Sequence, residues 1–506
     1  MSLLQQLGRR KSIEQVQAEI GSAGFRRVLG PVQLVFLGVG CIIGAGIFVM
    51  TGSAAANYAG PAVMLSFVIA GLACAFAGLC YAELASALPV SGSAYTYAYT
   101  ALGEGAAWFT GWLLLLEYGI CAATVAVGFS GYLVNLLGDF GVLVPAAWAT
   151  PTLSAEAVDG GGYVLRLGGG FNVIAAIAMV VATAILVRGI ALTAAINTAM
   201  VVLKVGVLLA FVFIGMGWID LANWTPFVPP SEGGFSYGPA GVLRAASIIF
   251  FAYIGFETVS TAAAEARNPQ RDMPIGLIGA MVVCTLIYIA VAAVMTGVVP
   301  YRMLDVPDPI AVAVDAMGLP WFALFVKAAA VVGLGSVLIG TIYGQTRIFY
   351  SMSRDGLVPP VFSNLHPRLR TPWLGTLGLG LGLALVAALL PIDVLGDLVT
   401  LGTALAFCIV CLSVIWLRNT QPQLERPYRV PLGGLRIGGV WIGTVPVLGI
   451  VLSLGMVAPL LLDIAQKSVH GNPVPLVIIG LYFLLGVLAY AVYGRRHSRL
   501  AADATR

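Results

Sequence analysis

Four ionisable side chains interrupt long apolar stretches of the sequence: Glu83, Glu117, Lys204 and Glu257. A charge at the centre of a bilayer costs at least about 2.5–3.5 kcal/mol, so each needs a structural or functional reason. Glu83, near the end of its stretch, is interpreted as structural or gating in preference to a direct role in coupling. For Glu117 two hypotheses stay open: a protonated acid bonded to a neighbouring helix, or a residue that lines a pocket or exchanges protons. Glu257 either braces an unwound segment or titrates, and bracing is favoured.

The stretch "IIGAGIF", residues 42–48, places glycines where a helix tolerates them worst. Glycine in a helix interior costs about 1 kcal/mol relative to alanine, yet Gly44 and Gly46 lie inside an apolar run. Gly255 and Glu257 interrupt a second run, "FFAYIGFETVSTAAAE". Non-helical backbone at membrane depth is tolerated where it lines a cavity, and transporters built from inverted repeats form binding sites in this way. Two paired breaks are therefore favoured over close helix packing alone.

The composition indicates a membrane protein. Hydrophobic residues make up 59% of the 506 residues and charged residues 9%, whereas a soluble domain carries about 25% charged residues. About twelve apolar runs reach the roughly 20 residues that a helix needs to cross a bilayer. The predicted spans 1 to 12 cover residues 31–56, 61–88, 106–137, 171–188, 192–218, 239–264, 275–298, 321–350, 373–391, 394–417, 439–463 and 473–494.

The predicted fold is an all-α polytopic membrane protein with about 12 transmembrane helices, in which spans 1 and 6 are broken. Spans 1 and 6 are corresponding members of a five-plus-five inverted repeat, with spans 11 and 12 appended. The predicted segments are an N-terminal cytoplasmic segment at 1–30, a first repeat at 31–218, a second repeat at 239–417, the last two spans at 439–494 and a cytoplasmic tail at 495–506.

Lysine and arginine residues concentrate in the connections on one side of the predicted membrane. The positive-inside rule therefore predicts that both termini are cytoplasmic, and the first 30 residues show no secretory signal peptide. This bias also explains the net charge of +4, so the charge does not indicate a nucleic-acid partner.

The sequence carries no motif for enzymatic chemistry. Its seven cysteines lie in apolar runs and their number is odd, which argues against a disulfide framework. Cys408 and Cys411 have no second pair and no nearby histidine, so packing is favoured over a metal site. A nucleotide-binding loop, a zinc-protease motif and a nucleophile elbow are all absent from the sequence. We therefore expect neither an enzyme nor a cofactor nor a metal ion.

Three motifs carry a family resemblance: "GVGCIIGAGIFVMTG", "FFAYIGFE" and "GQTRIFYSMSRDGLVPPVFSNLHPRLRTP". The sequence resembles the amino acid–polyamine–organocation (APC) superfamily, and within it the cationic amino acid transporter (CAT) family and its bacterial relatives. The resemblance runs from about Arg26 to the C-terminus, and the third motif is the most specific. It implies a permease of a bacterial inner (plasma) membrane that alternates access to a central amino acid site.

An amino acid needs donors for its carboxylate and acceptors for its ammonium group, and the ends of a broken helix offer both. Free N–H groups of Gly44, Ala45 and Gly46 can bind the carboxylate, helped by the helix dipole. The expected ammonium acceptors are unpaired carbonyls of Ile42, Ile43, Phe251, Ala252 and Ile254. The resemblance implies that these are the main-chain substrate contacts. Relatives often have Ser or Thr where this chain has Ala45, so here the carboxylate would rest on backbone amides alone.

Side-chain selectivity depends on the space around Glu117, Phe251 and the span 8 stretch "GSVLIGTIYGQ". Phe251 is either an aromatic gate over the substrate or part of the packed core. The family name suggests cationic substrates, but this space is mostly small and apolar, so neutral substrates fit at least as well.

Lys204, in "AMVVLKVGVLLAFV", lies too deep in span 5 for its ammonium group to reach either surface. One interpretation is a structural cation held by helix-end carbonyls. The other follows from the fold, because sodium-coupled transporters of this architecture hold an ion between spans 1 and 8, next to span 5. A lysine there would replace the ion and carry a proton instead, and relatives in the family have a lysine in this region.

The predicted function is proton-coupled uptake of small neutral or cationic L-amino acids by alternating access, with Lys204 and Glu257 as coupling residues. Amino acid exchange and sodium symport are the alternatives within transport, and a non-transporting amino acid-binding sensor is the alternative from another class. The predicted partners are the amino acid, protons and the lipid bilayer. A small single-span membrane partner is left open.

Overall fold

The computed structural model describes residues 3–16, 29–89, 92–158, 162–189, 194–369 and 371–500. Part of the predicted N-terminal segment, residues 1–2 and 17–28, lies outside the described residues, as do residues 501–506 of the predicted tail.

The described chain is built from apolar helices, which confirms the predicted all-α membrane fold. Within the described ranges, nine helices are long and apolar enough to cross a membrane, and three shorter apolar helices accompany them. Span 1 comprises Pro31–Ile42, Gly46–Met50, Thr51–Ala54 and Ala55–Ala59. Span 6 comprises Gly238–Ile249, Phe250–Tyr253 and Thr258–Thr261. The other spans are Val63–Ala87, Glu104–Asp139, Val173–Val187, Ala194–Gly215, Pro269–Val298, Pro320–Arg354, Trp373–Leu389, Ile392–Thr420, Thr444–Val469 and Val474–His497.

Local sequence explains where several spans begin. Pro31, Pro269 and Pro320 stand in the first turn of spans 1, 7 and 8, where the missing proline N–H costs nothing. Span 4 begins after Asn172, whose side chain accepts a hydrogen bond from the N–H of Ala175 at 3.0 Å.

The packing of the spans encloses span 6 and leaves span 12 at the periphery. In the most apolar part of span 6, 89% of residues are buried, against 11% in span 12. Span 7 packs against spans 1 and 2, span 8 against span 3, and span 9 against span 4. The pairs 2 and 7, 3 and 8, and 4 and 9 each join one member of the predicted first repeat to its counterpart in the second.

Several short elements lie between the spans. Antiparallel strands pair twice, β1 (Leu153–Val158) with β2 (Gly162–Leu167) and β3 (Gly434–Ile437) with β4 (Val440–Gly443). Span 11 therefore begins at Thr444 rather than near residue 439, because a short apolar run does not by itself distinguish a strand from a helix. The short helices and turns are Leu3–Leu7, Gly60–Ala62, Ser93–Ala101, Ala146–Trp148, Met216–Trp218, Leu221–Trp224, Ala263–Glu265, Tyr301–Leu304, Pro309–Ala316 and Pro360–Phe362.

The two ends of the described chain meet on one face of the bundle, which we call the termini face. The Gln6 side-chain amide donates to the carbonyl of Arg495 at 2.8 Å, and the Arg9 guanidinium donates to the carbonyl of Leu500 at 2.6 Å. The described residues nearest the two termini are therefore neighbours.

Candidate functional site

The first break lies in span 1, after Ile42. Ile43 is extended, with φ −72° and ψ 101°, and the helix resumes at Gly46 as a π-helical turn. The N–H groups of Gly44, Ala45 and Gly46 donate no hydrogen bond to any of the described residues. These groups begin the second half-helix, where the first N–H groups have no intrahelical partner. The break therefore presents a row of donors.

The second break lies in span 6, after the 3₁₀ turn Phe250–Tyr253. Ile254 is extended, and Gly255 has a φ of +115°. A Cβ atom at Gly255 would lie 2.7 Å from the carbonyl oxygen of Cys41, so the two breaks are in direct contact. Both the positive φ and this approach require glycine.

Glu257 braces the second break. Its buried carboxylate accepts from the N–H of Gly255 at 3.1 and 2.9 Å, one distance to each oxygen. This contact matches the bracing role that the sequence favours for Glu257. It also leaves the N–H of Gly255 engaged by the protein itself.

Lys204 reaches the first break from span 5. Lys204 is 1% exposed, and its ammonium group donates to the carbonyls of Gly40 at 2.7 Å and Ile43 at 3.0 Å. The stem of the side chain passes Gly333 in span 8, where a Cβ atom would lie 2.7 Å from the Lys204 Cδ atom. The ammonium group thus lies where spans 1, 5 and 8 meet.

Tyr288, in span 7, bonds to both breaks. Its hydroxyl lies 2.9 Å from the carbonyl oxygen of Ile42 and 3.1 Å from that of Ala252. The expectation of unpaired carbonyls is therefore wrong for Ile42, Ile43 and Ala252, because protein donors already reach them. The Phe251 carbonyl likewise accepts from the N–H of Ile254, at 3.2 Å. Each of these oxygens keeps a second lone pair, since a carbonyl has two.

The two glycines of the first break differ in their surroundings. A Cβ atom at Gly46 would lie 2.3 Å from the Cα atom of Ala252, so here the backbones of spans 1 and 6 pack directly against each other. A Cβ atom at Gly44 would meet only the Val337 side chain, at 3.4 Å. Gly46 thus serves close packing as well as the break, and Gly44 serves the break alone.

A cavity of about 1710 Å³ adjoins both breaks and extends to the termini face, where Lys11, Arg347 and Asp355 line it. Seven of the predicted site residues lie in its wall: Ile42, Gly44, Ala45, Gly46, Phe251, Ile254 and Glu257. The other four, Ile43, Glu117, Ala252 and Lys204, are buried and do not line it.

Glu117 lies behind the cavity wall rather than in it. The residue occupies a π-helical stretch of span 3, Leu115–Ile120, and is fully buried. Its carboxyl group interacts electrostatically with that of Glu257, but neither Glu117 oxygen has a hydrogen-bond partner of good geometry in the described chain. The neighbouring Tyr118 lines the cavity, whereas Glu117 does not.

Spans 3 and 8 supply the cavity wall beside the first break. Tyr118, Cys121 and Val125 come from span 3, and Val337 and Gly340 come from span 8. This part of the wall is small, mostly apolar and uncharged. The sequence pointed to this region of span 8, and in span 3 it pointed to Glu117 rather than to these three residues.

Comparison with known proteins assigns the family. The sequence model described as amino acid permease matches residues 29–484. The chain belongs to the amino acid permease family. The permease is 38% identical to the methylthioribose transporter of Bacillus subtilis (strain 168) over 98% of this chain and 99% of the relative. It is 39% identical to the branched-chain amino acid permease BcaP of the same strain over 97% and 98%, and 35% identical to the vacuolar cationic amino acid transporter 4 of Arabidopsis thaliana over 82% and 68%.

Membership confirms the resemblance to the APC superfamily and identifies the permease as a transporter rather than an enzyme. It is an integral membrane protein, and its family transports amino acids.

Glu83 has a structural place in the permease. Its carboxylate pairs with the Arg418 guanidinium at the end of span 10, with an Nε–Oε1 distance of 2.8 Å, and accepts from the N–H of Val430 at 2.7 Å. The residue therefore ties span 2 to span 10 and to the loop that follows, in agreement with a structural interpretation.

A buried ion cluster joins spans 6, 10 and 11 of the permease. Arg244, in span 6, donates to Asp397 of span 10 at 2.8 and 3.1 Å and to Asp463 of span 11 at 2.9 Å. Lys467 also pairs with Asp463, at 3.0 Å. In the described part of the chain, none of these four residues lines the cavity. Sequence reasoning missed the cluster, because its members come from three distant segments.

Proposed function

We propose that the permease takes up L-amino acids with neutral, apolar side chains, and that it recognises the α-carboxylate and α-ammonium groups through the backbone of its two broken helices. The single observation that carries the proposal is the row of N–H groups at Gly44, Ala45 and Gly46 beside the cavity. Backbone donors at the start of a half-helix form an anion site, because the positive end of the helix dipole adds to their hydrogen bonds.

The ammonium group is proposed to lie on the other side of the break. The carbonyl oxygens of Phe251 and Ile254 lie in residues that line the cavity. The Ile254 carbonyl accepts no hydrogen bond from the described residues, and the Phe251 carbonyl has one lone pair left. A zwitterion would thus bridge from the donors of span 1 to the acceptors of span 6.

Neutral substrates fit the charges of the cavity wall. The carboxylates in the described wall belong to Glu257, Glu265 and Asp355. Glu257 is bonded to Gly255, and Asp355 is paired with Lys11 at the termini face. The wall from spans 3 and 8 beside the first break has no charge to meet a lysine or arginine side chain. The similarity to a permease named for branched-chain amino acids supports the same choice.

For energy coupling we propose a proton rather than sodium. The Lys204 ammonium group, bonded to Gly40 and Ile43, fills the place between spans 1, 5 and 8 that a bound cation would need. Sodium would then be neither required nor bound there, and uptake would rise as the external pH falls. Exchange without net coupling is the alternative, in which case Lys204 is only a structural cation.

The proposed organisation follows the predicted boundaries. Residues 31–218 and 239–417 would form the two inverted repeats, and the packing of span 7 on span 2, span 8 on span 3 and span 9 on span 4 supports this division. We propose a bacterial plasma membrane location with both termini cytoplasmic, so that the cavity opens to the cytoplasm.

A second candidate substrate is methylthioribose, since a transporter named for it is similar over nearly the whole chain. This sugar has neither an α-carboxylate nor an α-ammonium group. It would leave the donors at Gly44, Ala45 and Gly46 without an anionic partner, so we favour the amino acid.

The test is uptake of labelled leucine by proteoliposomes that contain only this chain, with the common amino acids and methylthioribose as competitors. We expect leucine, isoleucine and valine to compete best, with equal uptake in sodium and potassium buffers and faster uptake at acidic external pH. Stronger competition by lysine or arginine would reject neutral selectivity, and uptake of labelled methylthioribose without uptake of leucine would reject an amino acid substrate.

A further inference from the structure

Tyr288 is fully buried in span 7 and touches the site only through its hydroxyl group. The ring packs against the rings of Phe67 and Tyr253, with centroid distances of 5.4 and 5.7 Å. The hydroxyl lies within hydrogen-bonding distance of two carbonyl oxygens, those of Ile42 and Ala252. A tyrosine hydroxyl has one proton, so the two carbonyls share a single donor.

The two accepting carbonyls lie next to the two breaks. Ile42 is the last residue of the first half-helix, and Ala252 lies in the 3₁₀ turn that leads into the second break. A helix that is interrupted leaves its last carbonyls without intrahelical partners, and such groups need another donor when they are buried. One hydroxyl from a third helix meets this need for both breaks.

We propose that Tyr288 is a positioning residue for the substrate site. It fixes the ends of spans 1 and 6 relative to each other, so that the donors of Gly44 to Gly46 and the acceptors of span 6 are held at the separation of one amino acid backbone. Tyr288 does not line the cavity in the described chain, so it acts through the two breaks and not on the substrate itself. This inference rests on the proposed function.

Contacts around the pair support this role. The backbones of Gly46 and Ala252 are packed too closely for a Cβ atom between them, and Gly255 approaches the carbonyl of Cys41 in the same way. Packing therefore fixes the distance between the two backbones. Packing does not fix the orientation of their carbonyl groups. In this proposal the hydrogen bonds of the Tyr288 hydroxyl fix that orientation.

The test compares Tyr288→Phe with Tyr132→Phe in the full-length permease. Both replacements remove only a hydroxyl from a fully buried ring, and the Tyr132 hydroxyl donates to the carbonyl of Phe48 in span 1, beyond the break, at 2.7 Å. We expect Tyr288→Phe to raise the KM for leucine about tenfold at an unchanged melting temperature. We also expect the affinities for leucine and for 3-methylbutylamine, which lacks the carboxylate, to differ less than in the wild type. A purely structural role would lower the melting temperature without reducing that difference.

A second readout does not depend on the substrate. Cys41 and Cys121 both line the cavity, and Cys41 directly precedes Ile42. We expect Tyr288→Phe to speed the modification of Cys41 by a small thiol reagent relative to Cys121, as measured by mass spectrometry. If the wild type transports no amino acid, the proposed function fails, and this ratio still decides the inference.

The inference is overturned if Tyr288→Phe matches Tyr132→Phe in both KM and the Cys41 to Cys121 ratio. Should Tyr288→Phe fail to fold, 4-aminophenylalanine at position 288 restores a donor and 4-fluorophenylalanine keeps the size of the ring without one. Equal Cys41 to Cys121 ratios in these two proteins would overturn the inference, and a lower ratio with the amino group would support it.

Discussion

At the first break the N–H groups of Gly44, Ala45 and Gly46 make no hydrogen bond to the described residues and belong to residues that line the cavity, whereas at the second break the N–H of Gly255 is bonded to the Glu257 carboxylate. Both breaks therefore place backbone donors where a carboxylate can reach them. At the second break the protein supplies that carboxylate, and at the first break we propose that the substrate does.

The comparison explains how two similar interruptions have different roles. A break with its own carboxylate is satisfied at all times and can act as a fixed support. A break whose N–H donors have no protein partner gains hydrogen bonds only when the substrate is bound. Substrate binding and the conformation of span 1 are therefore coupled.

Gly46→Val should have the largest effect, with loss of both uptake and folded protein. The new side chain would overlap the Ala252 backbone, and overpacking of this kind costs about 1–3 kcal/mol or more. Gly44→Ala is the matched control for folding, because its Cβ atom would make only an ordinary contact with Val337. Size-exclusion profiles and uptake measure both, and normal uptake by Gly46→Val would contradict the contact.

Lys204→Met should remove proton-driven accumulation and leave a folded protein that at most exchanges or equilibrates its substrate. Methionine keeps an apolar stem beside Gly333 but leaves the carbonyls of Gly40 and Ile43 without their shared donor. The measurement is leucine accumulation against external pH, in the presence and absence of sodium.

Lys327→Met is the control for Lys204→Met. Lys327 pairs with the half-exposed Asp139 at 2.9 Å, away from both breaks, so its replacement should leave the pH profile near that of the wild type. Strict dependence of the wild type on sodium, or an unchanged pH profile in Lys204→Met, would move the proton carrier elsewhere, with Glu117 the next candidate.

Glu257→Gln and Glu257→Ala distinguish a bracing role of the Glu257 side chain from a role of its charge. Glutamine keeps one oxygen acceptor for the N–H of Gly255, and alanine keeps none. Because a hydrogen bond to a charged group is worth about 1.5–3 kcal/mol, we expect the alanine variant to lose most of its uptake and the glutamine variant to lose clearly less. Initial uptake rates at matched protein levels give the answer, and equal rates would mean that Glu257 titrates instead of bracing.

Phe251→Ala should have the smallest effect of the four, a KM for leucine raised about two- to tenfold, in line with about 0.5–1.5 kcal/mol for an aromatic contact. Phe251 lies in the cavity wall and is 4% exposed. The tyrosine and tryptophan variants should be milder. An unchanged KM in Phe251→Ala would return this side chain to the packed core.

More of the fold than of the site could be predicted from the sequence. Apolar length gave twelve spans, and Gly44, Gly46 and Gly255 marked both breaks, because glycine in a membrane helix needs a local reason. The β3–β4 hairpin was missed, since its apolar residues continue into span 11. The breaks and the hairpin are local features. A single stretch of sequence therefore either reveals such a feature or leaves it indistinguishable from a helix.

The contacts that complete the site could not be read in this way. The link from Lys204 to Gly40, the pairing of Arg244 with Asp397 and the Tyr288 hydroxyl all join residues far apart in the chain. A buried tyrosine in an apolar run has no pattern that distinguishes it from packing. The sequence analysis predicted unpaired carbonyls at Ile42 and Ile43 for the same reason. The donors that reach these carbonyls come from spans 5 and 7, far away in the chain.

The central claim is that the backbone donors of the first break bind the substrate carboxylate. The most direct measurement is competition for labelled leucine bound to the purified permease by leucine, by 3-methylbutylamine, which lacks the carboxylate, and by 4-methylpentanoate, which lacks the ammonium group. We predict that 3-methylbutylamine competes at least about tenfold more weakly than leucine, because hydrogen bonds to a charged group contribute about 1.5–3 kcal/mol each. Competition by the amine as strong as that by leucine would contradict the account.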